Sequence, residues 1–149
     1  MQAARLSQRT TRSTPTAKAF HTAKWARTMT KWLVTYARMS GAKWNIVEFG
    51  GKSGAESRGI VDLIAIRKNH RQSVPGTKRG DLFEIILIQV KGGSAPRPSA
   101  EDVSRLTRVA HHHRAGAVIL AEWKRAERLE TFKLVRSRWE KIAPHDVFG

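Results

Sequence analysis

Apolar residues recur at intervals of three and four from Pro15 to about Met39, through Ala26, Met29, Leu33, Tyr36 and Ala37, with Trp25 and Trp32 on a flank. This spacing predicts a helix, closed by Ser40-Gly41. Three strand-like runs follow, each ended by turn chemistry: Trp44 to Phe49, Ile60 to Ile66, and Leu82 to Lys91. The third run is almost continuously apolar and suits a central strand covered on both faces. Short links between the three favour an antiparallel meander. Beyond the loop SAPRPS, Ser99 opens a second helix with Asp102 three residues on, as in a capping box, and Val103, Leu106 and Ala110 form its buried stripe before Gly116. Ala117 to Glu122 then reads as a strand joined by a right-handed parallel crossover. The segment from Glu130 to Gly149 predicts one or two short edge strands and a loose end. The expected class is α/β, with element order αβββαβ and no internal repeat.

Charge changes the picture. The 149 residues carry 28 Lys plus Arg against 12 Asp plus Glu, a formal net charge of +16, which points to a polyanionic partner. No acid precedes Glu48. Residues 1–14 are basic and rich in Ser and Thr, so they read as a flexible arm ahead of a single domain over 15–149. A transit peptide has a similar composition, so organelle targeting stays open beside a cytoplasmic or nucleoid-associated location. Lys24, Arg27, Lys31 and Arg38 make one stripe of the first helix cationic; with no acid interrupting it, contact with a phosphate backbone competes evenly with a merely solvated face. No apolar run reaches the roughly 18 residues of a membrane span. Cysteine is absent, which excludes disulfides, cysteine zinc sites and thiol catalysis.

Candidate chemistry lies at the end of the third strand. Alternation places Gln89 and Lys91 on one face, about 7 Å apart, and turns Val90 to the other. Phe83, Ile85 and Leu87 precede them on the same face, so the strand begins as core and ends polar. A lysine buried there without a partner would be costly, and an active-site edge explains it. Asp62 is expected on the neighbouring strand.

IVDLIAI followed about two dozen residues later by LIQVKGG resembles the PD-(D/E)xK nuclease superfamily, whose signature is an Asp ahead of a strand ending (D/E)xK. The resemblance covers residues 18 to 123 and is strongest to small archaeal-type Holliday junction resolvases and their bacterial and phage relatives. It implies a restriction-endonuclease-like core and an endonuclease that hydrolyses DNA phosphodiester bonds with Mg²⁺ or Mn²⁺. It further implies branched DNA as partner and a homodimer, because two strands are cut across a two-fold axis. Asp62 would be a metal ligand and Lys91 would align or activate the attacking water. Gln89 stands where the family has an acid and would ligate through a neutral amide oxygen. The family's first-helix glutamate has no counterpart here. Glu56 is the nearest replacement ligand and Glu48 the next, so the metal set is Asp62, Gln89, Val90 and Glu56. Ser53 matches the resolvases' loop serine, although a flexible turn is an equal reading of FGGKSG. Lys52 and Arg58 in the same loop join the helix stripe as nucleic-acid contacts.

Other features are set aside. Gly51-Lys52-Ser53 ends like a phosphate-binding loop, but the required earlier glycine would be Ile46. Three successive helical histidines, His111 to His113, cannot all face one ion. The five Trp read as core and edge packing before base stacking. Two rivals to the nuclease remain: a catalytically silent nucleic-acid-binding module of the same fold, and a basic packaging protein in which Asp62 and Lys91 form an ordinary buried salt bridge.

Overall fold

The computed structural model describes residues 15–49, 59–124 and 128–149, with the side chains of the first helix from Thr22 onward. Helix α1 spans Pro15–Ala37, followed by strands β1 (Asn45–Glu48), β2 (Leu63–Lys68) and β3 (Phe83–Gly92). Helix α2 (Ala100–His112), strands β4 (Ala117–Lys124), β5 (Arg128–Val135) and β6 (Arg138–Lys141), and the short helix α3 (Pro144–Phe148) complete the order. The six strands form one mixed sheet in sequence order, antiparallel everywhere except for the parallel β3–β4 pair that α2 connects.

The two faces of this sheet are separately covered. On one, Leu63, Ala65, Ile86, Ile88, Ile119 and Ala121 pack with Val34 of α1, Trp44 and Phe148 of α3. On the other, Leu87 and Val118 pack with Leu106 of α2 and with Ile60. Ile86, Leu87 and Ile88 are therefore buried in succession, as a centrally placed strand requires. Ser99 caps α2: its side chain accepts from the Asp102 N–H, while the Asp102 carboxylate accepts from the Ser99 N–H. Among the described residues no helix is long and apolar enough to cross a membrane.

Several sequence expectations are corrected. The buried stripe of α1 runs Ala26, Thr30, Val34, while Tyr36 is 75% exposed. Thr30 can be buried because its hydroxyl donates to the Ala26 carbonyl at 2.7 Å. Trp25 and Trp32 are more than half exposed, so only Trp44 among these three serves the core. Phe83 is exposed, and the core begins later along β3. Strand β2 starts at Leu63 instead of Ile60 and runs on to Lys68, because Arg67 is buried with partners: Glu84, the Ser40 and Gly149 carbonyls, and the Trp44 ring 4.1 Å away. β5 lies inside the sheet, so of the two C-terminal strands β6 alone is at an edge, β1 forming the other edge. The expected loose end is instead pinned by Phe148, which is 1% exposed and whose carbonyl accepts from Trp44 Nε1 at 2.9 Å.

Candidate active site

The parallel strands β3 and β4 end together, and the last residues of β3 lie beside the start of β2. Asp62 lies just ahead of β2; its N–H donates to the Ile88 carbonyl, which fixes its backbone against β3. Ile64 pairs with Leu87, so alternation puts Asp62 on the face that carries Leu87, Gln89 and Lys91. The Asp62 Oδ2 accepts from the Val90 N–H at 2.7 Å, and its other oxygen makes no hydrogen bond among the described residues. Burial raises the Asp62 pKa above its ordinary value; the Val90 N–H and the charges of Lys91 and Arg27 offset this only in part. Asp62 and Lys91 are thus on one side of the sheet and within electrostatic reach of each other.

Gln89 is 5% exposed, and its Oε1 is buried with no hydrogen-bond partner among the described residues. A buried acceptor left unmatched costs about 1–3 kcal/mol, and Gln89 Oε1 shares this state with the indole N–H of Trp139, which lies away from Asp62. Val90 contributes its N–H to Asp62, while its side chain packs on the opposite, α1-covered face. Glu56, Ser53, Lys52 and Arg58 lie outside the described residues, as does the arm 1–14. Among the described residues no group of three His, Cys, Asp or Glu could hold a metal, and His111, His112 and His113 are all exposed.

The cationic stripe of α1 is interrupted after all. Glu48 reaches over from β1 and ion-pairs with both Arg27 and Lys31. Burial would raise the Glu48 pKa, but these two cations outweigh it and lower it. Glu48 therefore pairs with α1, and its register opposite Leu63 puts it on the other face of the sheet from Asp62. Arg38 donates to the Gly41 carbonyl, and Lys24 is exposed.

Sequence reasoning missed one buried acid. Glu122 of β4 stands opposite Lys91 and is 4% exposed. Arg97 grips it through Nε to Oε2 at 3.0 Å and Nη2 to Oε1 at 3.3 Å, and Lys124 adds a contact of 3.2 Å. Burial works to raise the Glu122 pKa, yet Arg97 and Lys124 bring it below the usual range. A charged residue closing the greasy run AVILAE is the same signal that drew attention to Lys91, and it marked Glu122 equally. A concavity of about 750 Å³ between Trp32, Tyr36, Leu129 and Ile142 includes none of these residues. Asp62, Gln89 and Lys91 lie instead where β2 begins and β3 ends, on interior strands of the sheet. No family model, curated protein or solved structure matches the chain.

Proposed function

We propose that the chain is a metal-dependent endonuclease with a restriction-endonuclease-like core that hydrolyses phosphodiester bonds in branched DNA such as Holliday junctions, working as a homodimer. The observation that carries this reading is that Asp62, Gln89 and Lys91 share one face where β2 begins and β3 ends, with Gln89 Oε1 lacking a hydrogen-bond partner among the described residues. Two oxygens without hydrogen-bond donors suit a hard cation such as Mg²⁺ or Mn²⁺, and Asp62 and Gln89 would hold it. Such an ion supplies Lewis acidity toward the phosphate and a more acidic water. The Val90 N–H holds Asp62 Oδ2 and leaves the other oxygen to point elsewhere. The Lys91 ammonium stabilises negative charge as it develops on the phosphate oxygens and orients the water. The net charge of +16 favours a nucleic-acid substrate.

One observation favours a second reading, a silent binding module of the same fold. The described residues offer a single carboxylate at the site, because Glu48 and Glu122 are both held by cations. Incubation with branched, flapped and linear DNA in Mg²⁺ or Mn²⁺ decides between them. The nuclease cuts at least one substrate, and Asp62→Asn and Lys91→Ala each lower the rate at least about 100-fold while leaving binding nearly intact. Binding without cutting by the unaltered chain would establish the silent module. Undiminished cutting by both variants would remove these residues from the site.

A further inference from the structure

Arg97 is held more firmly than an ordinary surface arginine. Pro96 and Pro98 flank it, and the two rings restrict the backbone of Arg97 and of its neighbours to extended conformations. Its guanidinium lies over the Phe132 ring at 4.4 Å and spends Nε and Nη2 on Glu122. Nη1 makes no hydrogen bond among the described residues, and the side chain is 44% exposed. Glu122 in turn is opposite Lys91 across the parallel pair, on the face shared with Asp62 and Gln89. Lys124, two residues further along the same strand and face, leaves 66% of its side chain in solvent.

One buried carboxylate therefore gathers two cations, and the charge of Arg97, Lys124 and Glu122 is +1, beside Lys91 and Asp62, which offset each other. Neutralising Glu122 needs only one cation, and both Arg97 and Lys124 keep part of their side chains in solvent. An arginine with one edge fixed on a carboxylate and the other edge free is prearranged for a second anion, with little side-chain entropy left to lose.

We propose that Arg97, positioned by Glu122 and Phe132 and assisted by Lys124, is a phosphate clamp that binds the nucleic-acid backbone next to the residue trio Asp62, Gln89 and Lys91. The inference rests on the endonuclease reading for its substrate class, but binding is independent of cutting. The clamp also reassigns where the backbone lies: along the ends of β3 and β4, and not on the Arg27–Lys31 part of α1 that Glu48 already occupies.

The test is binding of a fluorescent branched DNA without divalent metal, followed by anisotropy over a range of NaCl concentrations. Arg97→Ala should weaken binding about tenfold and reduce the slope of log affinity against log salt by about one. Because this change could disturb folding by stripping a buried carboxylate, Arg97→Ala with Glu122→Gln serves as the second variant. The clamp predicts that the double variant binds as weakly as the single one. Recovery of full affinity and slope in the double variant would mean that Arg97 merely neutralises Glu122, and the clamp would be overturned. Unchanged affinity in the single variant would overturn it too. If no DNA is cut in Mg²⁺ or Mn²⁺ while the Arg97 effect on binding persists, only the cleavage reading fails and the clamp stands.

Discussion

The carboxylates of the half-buried Asp62 and the buried Glu122 have pKa values displaced in opposite directions, and the difference lies in their partners. Asp62 has one N–H and more distant cations, and burial raises its pKa above the ordinary 3.8. Glu122 has two direct ion pairs that overcome burial and lower its pKa below 4.5. The signs of their contributions to stability follow. For Asp62 the folded state holds its proton more tightly than the unfolded state. Both states are protonated well below pH 3.8, so no penalty arises there; the cost grows as pH rises from 3.8 toward the higher folded value and stays constant above it. Asp62→Asn keeps an acceptor for the Val90 N–H and removes that charge. In metal-free buffer the variant should melt at a higher temperature than the unaltered chain at pH 7, and the difference should shrink toward zero as pH falls below 3.8. Circular dichroism melts between pH 3 and 8 measure this; a difference independent of pH would assign the effect to something other than the carboxylate. Glu122 works oppositely, stabilising above its unfolded value and ceasing to do so as acid protonates it.

Among the elements, the crossing of α1 over the end of β3 brings the helix close to the candidate site, and Gly92 permits it. A Cβ at Gly92 would lie 3.2 Å from Ala26 Cβ and 3.3 Å from the Thr22 carbonyl oxygen, the latter a main-chain atom with little freedom to move. Gly92→Ala should therefore push the helix off the strand and cost about 1–3 kcal/mol, read as a lower urea midpoint; an unchanged midpoint would show that α1 yields freely there. Sequence pattern anticipated the elements whose logic is local. The Ser99–Asp102 cap, the run of β3 and the strand after Gly116 each depend on neighbours a few residues away. It failed where the deciding partner is remote. The end of β2 depends on Arg67, whose partners lie 17, 27 and 82 residues away, and α3 depends on a Trp44–Phe148 hydrogen bond spanning 104 residues. The site divides similarly. Asp62, Gln89 and Lys91 were marked by polarity inside or beside apolar runs, whereas Arg97 and the capture of Arg27 and Lys31 by Glu48 require knowing which loop or strand crosses which.

At the scale of the whole molecule, the distribution of acids limits the stability of the fold. Among the described residues Glu48, Glu84, Asp102, Glu122 and Glu130 are drawn into ion pairs with Lys or Arg, and 12 Asp and Glu against 28 Lys and Arg leave most of the positive charge in excess. Around α2 and its end, Arg108 and Arg114 have no ion pair among the described residues, while Arg105 reaches Asp102 at 3.5 Å. Compacting a chain of charge +16 brings these cations together, and the resulting repulsion opposes folding in dilute buffer. Salt shortens the reach of that repulsion from about 30 Å at 0.01 M to about 8 Å at 0.15 M, while the buried Glu122 and Arg67 pairs are screened much less. The melting temperature should therefore rise as NaCl is increased through this range, and sulfate, a multivalent anion, should raise it further at equal ionic strength. Scanning calorimetry or fluorescence melts provide the measurement. A melting temperature that fell with salt would mean that exposed ion pairs outweigh the repulsion, and the cations would then be stabilising partners within the fold instead of a surface held in readiness for an external polyanion.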